Sequence, residues 1–136
     1  MSPLKILVAN DLYGRSSAAG VAVRMAENLA ARGHQVSFLS TVQKQDTAGL
    51  KSVNGVAVRQ AFSAPYPGRF KAWRSLNNPG GVAAMTAAIE EFSPDVVHVH
   101  NLHMHLSYGA LAAARRQGAK VVLHVHDVMP FCHQKL

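Results

Sequence analysis

Leu4-Lys5-Ile6-Leu7-Val8-Ala9, followed at once by Asn10-Asp11-Leu12-Tyr13-Gly14-Arg15-Ser16-Ser17-Ala18-Ala19-Gly20, is the stretch that decides the fold. The first six residues are short and mostly apolar, as expected of a parallel strand covered on both faces. The next eleven form a polar, glycine-bearing loop, with Ser16 or Ser17 placed to cap a helix. Val21, Met25 and Leu29 then recur at helical spacing as the buried stripe, with Arg24, Glu27 and Asn28 on the other side. The helix stops at Arg32-Gly33-His34, and Gln35-Val36-Ser37-Phe38-Leu39-Ser40 reads as a second strand. Strand, loop, amphipathic helix, glycine and strand make a βαβ unit, whose crossover is right-handed.

The rest of the chain repeats this alternation. Thr41 to Ser52 is polar and aperiodic, hence a loop, and Asn54-Gly55 is a turn. Val56-Ala57-Val58-Arg59-Gln60 reads as a third, outer strand. Asn78-Pro79-Gly80 opens a helix with Val82, Met85, Ile89 and Phe92 on its buried face. Pro94-Asp95-Val96-Val97-His98-Val99-His100 is the fourth strand. A helix carrying Leu106, Ala110, Leu111 and Ala114 follows, and Ala119 to His126 is the fifth strand. The expected class is α/β: a doubly wound parallel sheet, Rossmann-like, of about five strands in the order 3-2-1-4-5. Its topological switch point lies between the first and fourth strands, where open α/β sheets bind ligands beyond the strand C-termini.

The 136 residues suffice for one domain with a sizeable core. No signal peptide and no apolar run of about 20 residues is present, which argues against secretion and membrane spanning. The single cysteine, Cys132, permits no internal disulfide, in keeping with a cytoplasmic setting. Fourteen Lys and Arg against seven Asp and Glu leave a net charge of +7, which favours anionic partners. Arg69, Lys71 and Arg74 interleave with Phe70 and Trp73, a composition suited to the inner face of a membrane. Nothing points to nucleic acid.

Seven of the eight histidines fall between His98 and His133. His98 and His100 share a strand face, as do His124 and His126. His98 and His124 read as core histidines, whereas His100 and His126 stand nearest the strand ends and the crevice. His103 and His105 belong to the following loop or helix start. The first loop offers helix N-terminal N–H groups to an anion, with Gly14 and Gly20 permitting close approach. It lacks the spacing of a dinucleotide fingerprint and the Lys-Ser/Thr of a phosphate-loop NTPase.

These pieces together resemble the N-terminal domain of the family 4 glycosyltransferases, enzymes of two facing Rossmann-like domains (GT-B). The residues concerned are Lys5-Ile6-Leu7-Val8, then Ala19-Gly20 opening a helix that ends Leu29-Ala30-Ala31-Arg32-Gly33-His34-Gln35-Val36. They continue with Pro94 to Asn101, and with Val121 to Asp127 followed by Pro130, Cys132 and His133. The resemblance implies an acceptor-side domain, residues 1–136, of a retaining enzyme that needs no metal. The nucleotide-sugar donor, and with it any cofactor-like group, would be held mainly by a C-terminal domain with a Glu-x7-Glu signature. No such signature and no closing helix follow here, so the chain is expected to be an excised piece, inactive alone. The resemblance places His100 in the active site beside the transferred sugar. It sets Gly14, Arg15, Ala19 and Gly20 toward the donor diphosphate, although the family often has Gly-Gly where this chain has Ala19-Gly20. Asn101 and His103 join the substrate-binding set, and His126 and Asp127 border the acceptor cleft.

Two other readings stay open at the sequence level. A zinc-dependent hydrolase would draw its ligands from His98 and His100 with His103, His105 or Asp127. A non-catalytic, flavodoxin-like binding module would share the fold without the chemistry.

Overall fold

Alternate side chains of the first strand enter two different cores. Ile6 and Val8 pack with Val23, Ala26 and Phe38, whereas Leu7 and Ala9 pack with Met85, Val97 and Leu106. A strand apolar from Ile6 to Ala9 is the expected outcome of a sheet covered on both faces. The computed structural model describes residues 2–15 and 17–127. The strands are β1 Lys5–Ala9, β2 Gln35–Val42, β3 Gly49–Val53, β4 Val56–Phe62, β5 Val96–Val99 and β6 Lys120–Leu123. The helices are α1 Ser17–Ala31, α2 Lys71–Leu76, α3 Pro79–Phe92 and α4 Gly109–Arg116.

The sheet order is β3-β4-β2-β1-β5-β6, with every neighbouring pair parallel except β3 and β4. The five strands read from the sequence are β4, β2, β1, β5 and β6, in the expected order. The expected loop from Thr41 to Ser52 is corrected. β2 runs on to Val42, a single 3-10 turn occupies Gln45–Thr47, and β3 forms a hairpin with β4. Asn54 and Gly55 both take positive φ, 49° and 78°, the geometry of a tight hairpin turn. β3 is almost wholly exposed, so no hydrophobic alternation betrays it, and it makes β4 an interior strand rather than an outer one.

Two helices also differ from expectation. α1 buries Gly20, Ala22, Val23 and Ala26, and leaves Val21, Met25 and Leu29 only half-buried. Small side chains let the helix approach the sheet closely, so size decided the buried face. Gly20 is pressed against the preceding loop: a Cβ there would stand 2.3 Å from the Arg15 carbonyl oxygen. The helix expected to include Leu106 begins only at Gly109. The Leu106 N–H is bonded to the Asp11 carboxylate, and Ser107 has φ 70°, so neither continues a helix. α3 starts as expected, with the Asn78 side chain accepting from the Gly80 N–H and Pro79 in the first turn.

Candidate functional site

The loop after β1 and the loop after β5 are held together by the first two residues beyond β1. The Asn101 N–H donates to Asn10 Oδ1 at 3.1 Å, and the Asp11 N–H donates to the Asn101 carbonyl at 2.7 Å. Asp11 is 3% exposed. Its Oδ2 accepts from the Met104 N–H at 2.7 Å, and its Oδ1 from those of His105 and Leu106 at 3.0 and 2.7 Å. Burial pushes the Asp11 carboxyl above the ordinary carboxylate range, against the three N–H groups that pull it down. The adjacent His105 is buried as well. Its Nδ1 lies 3.1 Å from Ser63 Oγ, its Nε2 lies 2.9 Å from Gln43 Nε2, and its carbonyl accepts from Asn78 Nδ2 at 2.7 Å. His105 is therefore a hub joining the ends of β2, β4 and β5 to α3.

Between the two loops lies a crevice of about 180 Å³, lined by Asn10, Asp11, Ser17, Ala19, Asn101 and His103 among others. It stands at the C-terminal ends of β1 and β5, at the switch point anticipated from strand order. Three expected substrate-side residues, Ala19, Asn101 and His103, meet there. The other first-loop candidates do not line it. Gly14 is half-buried with open space beside it, Arg15 is exposed and paired with Glu27 at 2.8 Å, and Gly20 is buried beneath the Arg15 carbonyl.

His100 is 2% exposed and lies outside the crevice lining, within a stack of four imidazoles. Its ring centroid is 4.8 Å from that of His98 and 5.0 Å from those of His124 and His126. Between His124 and His126 the distance is 4.4 Å, with the rings tilted by only 9°. Val97 and Val99 enter the α3–α4 core, so His98 and His100 occupy the opposite face of the sheet. The β5–β6 register pairs Val99 with Leu123, which brings His124 beside His100. His100 Nδ1 and His126 Nε2 are 2.7 Å apart, while His100 Nε2 is buried without a partner. Burial and the neighbouring imidazoles push the His100 pKa down to about 3, and His98 and His126 are also lowered, by burial first. His100 is thus a neutral imidazole at physiological pH. Asp127 is exposed. Ser16, Pro130, Cys132 and His133 lie outside the described residues.

A larger groove of about 350 Å³ runs along the outer face of α1 beside Val21, Met25 and Leu29, the residues expected to be core. Two adjoining hollows of about 330 and 320 Å³ share Pro65 and Tyr66 near the ends of β2 and β4. The Tyr66 hydroxyl donates to the Met104 carbonyl and closes this side of the loop. Sequence reasoning missed Asp11, Asn78 and Tyr66 as organisers. The one available signal was an Asn-Asp pair directly after a buried strand.

Residues 18–135 match the glycosyl transferase 4-like domain. The chain belongs to that family. No curated protein matches the sequence. Among solved structures, the glycosyl transferase 4-like domain described here is similar to sucrose-phosphate synthase from Thermosynechococcus elongatus. The TM-score is 0.69 at 16% identity, covering 92% of this chain and 33% of that one. A trehalose-6-phosphate structure from E. coli, bound with UDP-2-fluoro glucose, gives 0.50 at 10% identity over 89% of this chain and 32% of that one. A universal stress protein in complex with cAMP gives 0.52 at 17% identity over 93% and 100%. The domain spans about a third of the synthase's length, and at these identities the likenesses show the fold alone. Among the described residues, no helix is long and apolar enough to cross a membrane.

Proposed function

We propose that this chain is the acceptor-side domain of a retaining glycosyltransferase, which moves a sugar from a nucleotide-sugar donor to a glycan, lipid or small-molecule acceptor. The observation that carries the proposal is the meeting of Ala19 and Asn101 in one crevice at the ends of β1 and β5, within a chain of this family. The N-terminus of α1 opens on that crevice, and its N–H groups and dipole suit the charge of a diphosphate. Gly14, Arg15 and Gly20 shape that loop, and Asn101 and His103 contact the substrate. His100 acts at the edge of the active site as a neutral hydrogen-bonding group toward the transferred sugar. His126, which holds His100 Nδ1, and Asp127 border the acceptor. The family assignment favours sugar transfer over a hydrolase or a binding module. The protein's catalytic part is positioning, together with stabilising the leaving diphosphate. Most of the donor contacts come from a further domain, so the 136 residues alone are expected to transfer no sugar.

The test uses the complete protein. His100→Ala should lower kcat by about 100-fold or more while circular dichroism and solubility stay unchanged. Turnover within a factor of about two of the parent would remove His100 from the mechanism.

A further inference from the structure

One imidazole nitrogen in the stack, His100 Nε2, is buried without a hydrogen bond, and packing alone does not account for it. His98 lies in β5 and His100 just past its end on the same face, and His124 stands beside His100 just past the end of β6. The backbone fixes that placement, since the His124 N–H donates to the Val99 carbonyl at 2.7 Å. One ring nitrogen from each of the three lies within 4.8 Å of the others. Neither the His98 ring nor the His124 ring hydrogen-bonds to a described residue, and His100 Nε2 is buried without a partner. A buried polar atom left without a partner is costly, and here it sits in a cluster of side chains that are good metal ligands.

We propose that His98, His100 and His124 form a binding site for a divalent transition-metal ion of the zinc type. Three neutral imidazoles with no carboxylate among them select zinc, copper or nickel over magnesium and calcium, which require oxygen ligands. His126 completes the arrangement from outside. When His100 Nδ1–H donates to His126 Nε2, the His100 tautomer is fixed and the lone pair of Nε2 is free for the ion. The nitrogens stand further apart than in a closed tetrahedral site, so small side-chain rotations bring them together around the ion. His98 and His124 are half-buried, which leaves the ion a way in and a fourth position for water. This inference competes with the sugar-transfer role of His100, since Nε2 can serve either the ion or the sugar, and its test needs no donor sugar.

Chain freed of metal by a chelator is titrated with Zn²⁺ by calorimetry, and with Co²⁺ by visible absorption. The expected result is one equivalent of Zn²⁺, a four-coordinate Co²⁺ spectrum, and competition between the two ions. His98→Asn and His124→Asn should each weaken Zn²⁺ by about 100-fold, whereas His34→Asn leaves it unchanged. If the variants fail to fold, wild-type NMR still decides. Zn²⁺ must shift the ring resonances of three histidines and spare His34, and Mg²⁺ must shift none. Zn²⁺ binding that survives in the His98→Asn/His124→Asn double variant, or no Zn²⁺ binding at all, overturns the proposal. An equal response to Mg²⁺ overturns it as well.

Discussion

Asp11 does more to shape the site than its neighbours on the first loop, through three N–H bonds that reach residues more than ninety positions away. Asp11→Ala leaves these donors buried without acceptors, and a loss of about 3 kcal/mol in urea unfolding is expected. Asp11→Asn keeps one carbonyl-type acceptor and should lose about 1 kcal/mol. Equal midpoints for Asp11→Ala and the parent would show that the loop stands without the carboxylate. The histidine stack has the opposite relation to charge. His100, at about 3, stays neutral in the folded chain, and His98 and His126 take up protons less readily there than in the unfolded chain, where an imidazole protonates below about 6.5. Stability is therefore intact above pH 6.5 and falls as the pH drops, at about 1 kcal/mol per pH unit for His100 alone. Asp11, whose carboxyl is raised by burial, works in the other direction, so the comparison with a His100 variant isolates the histidine. His100→Gln should flatten that profile, and an unchanged slope would contradict it. That His98 and His100 share one face was legible from their spacing. The role of Asp11 was not, because its partners are backbone N–H groups whose positions exist only once the loop has folded.

Among the elements, legibility followed burial. β1, β2 and β5 announced themselves as apolar runs because they are the most covered strands, whereas β6 was legible from its apolar residues although it lies largely exposed at the sheet edge. β3 is exposed along its length and carried no such mark. α1 showed its helical period but not its orientation, since the sheet selected Ala22, Ala26 and Gly20 over the larger Met25 and Leu29. Gly20→Ala, with its new methyl 2.3 Å from the Arg15 carbonyl, should cost about 2 kcal/mol, whereas Gly14→Ala, with open space beside it, should be nearly neutral. Equal melting temperatures for the two variants would refute the close approach. α2 follows a 3-10 turn at Gly68–Phe70, and the pair leaves Phe70, Trp73 and Leu76 exposed at 44%, 69% and 55%, beside Arg69 and Lys71. If this segment meets a membrane, with Arg74 at its flank, the chain should co-sediment with anionic vesicles and much less with neutral ones, and Trp73→Ala should reduce the bound fraction several-fold. Equal sedimentation of the two vesicle types would end that idea.

At the scale of the whole molecule, strand order could be read from the sequence because right-handed crossovers and a central first strand leave few alternatives. The switch point, and hence the crevice, came with it. How much of His100 reaches that crevice depended on strand register and ring stacking, which spacing does not reveal. The central place of β1 also bears on the order of assembly. β1 pairs Ile6 with Val36 on one side and with Val96, ninety residues away, on the other. Closing that second, distant pairing carries a larger chain-entropy cost, and it comes with the Asp11 bonds to residues 104–106. During synthesis, then, β1, α1, β2 and the β3–β4 hairpin have partners early, while the crevice and the histidine stack wait for the last third of the chain.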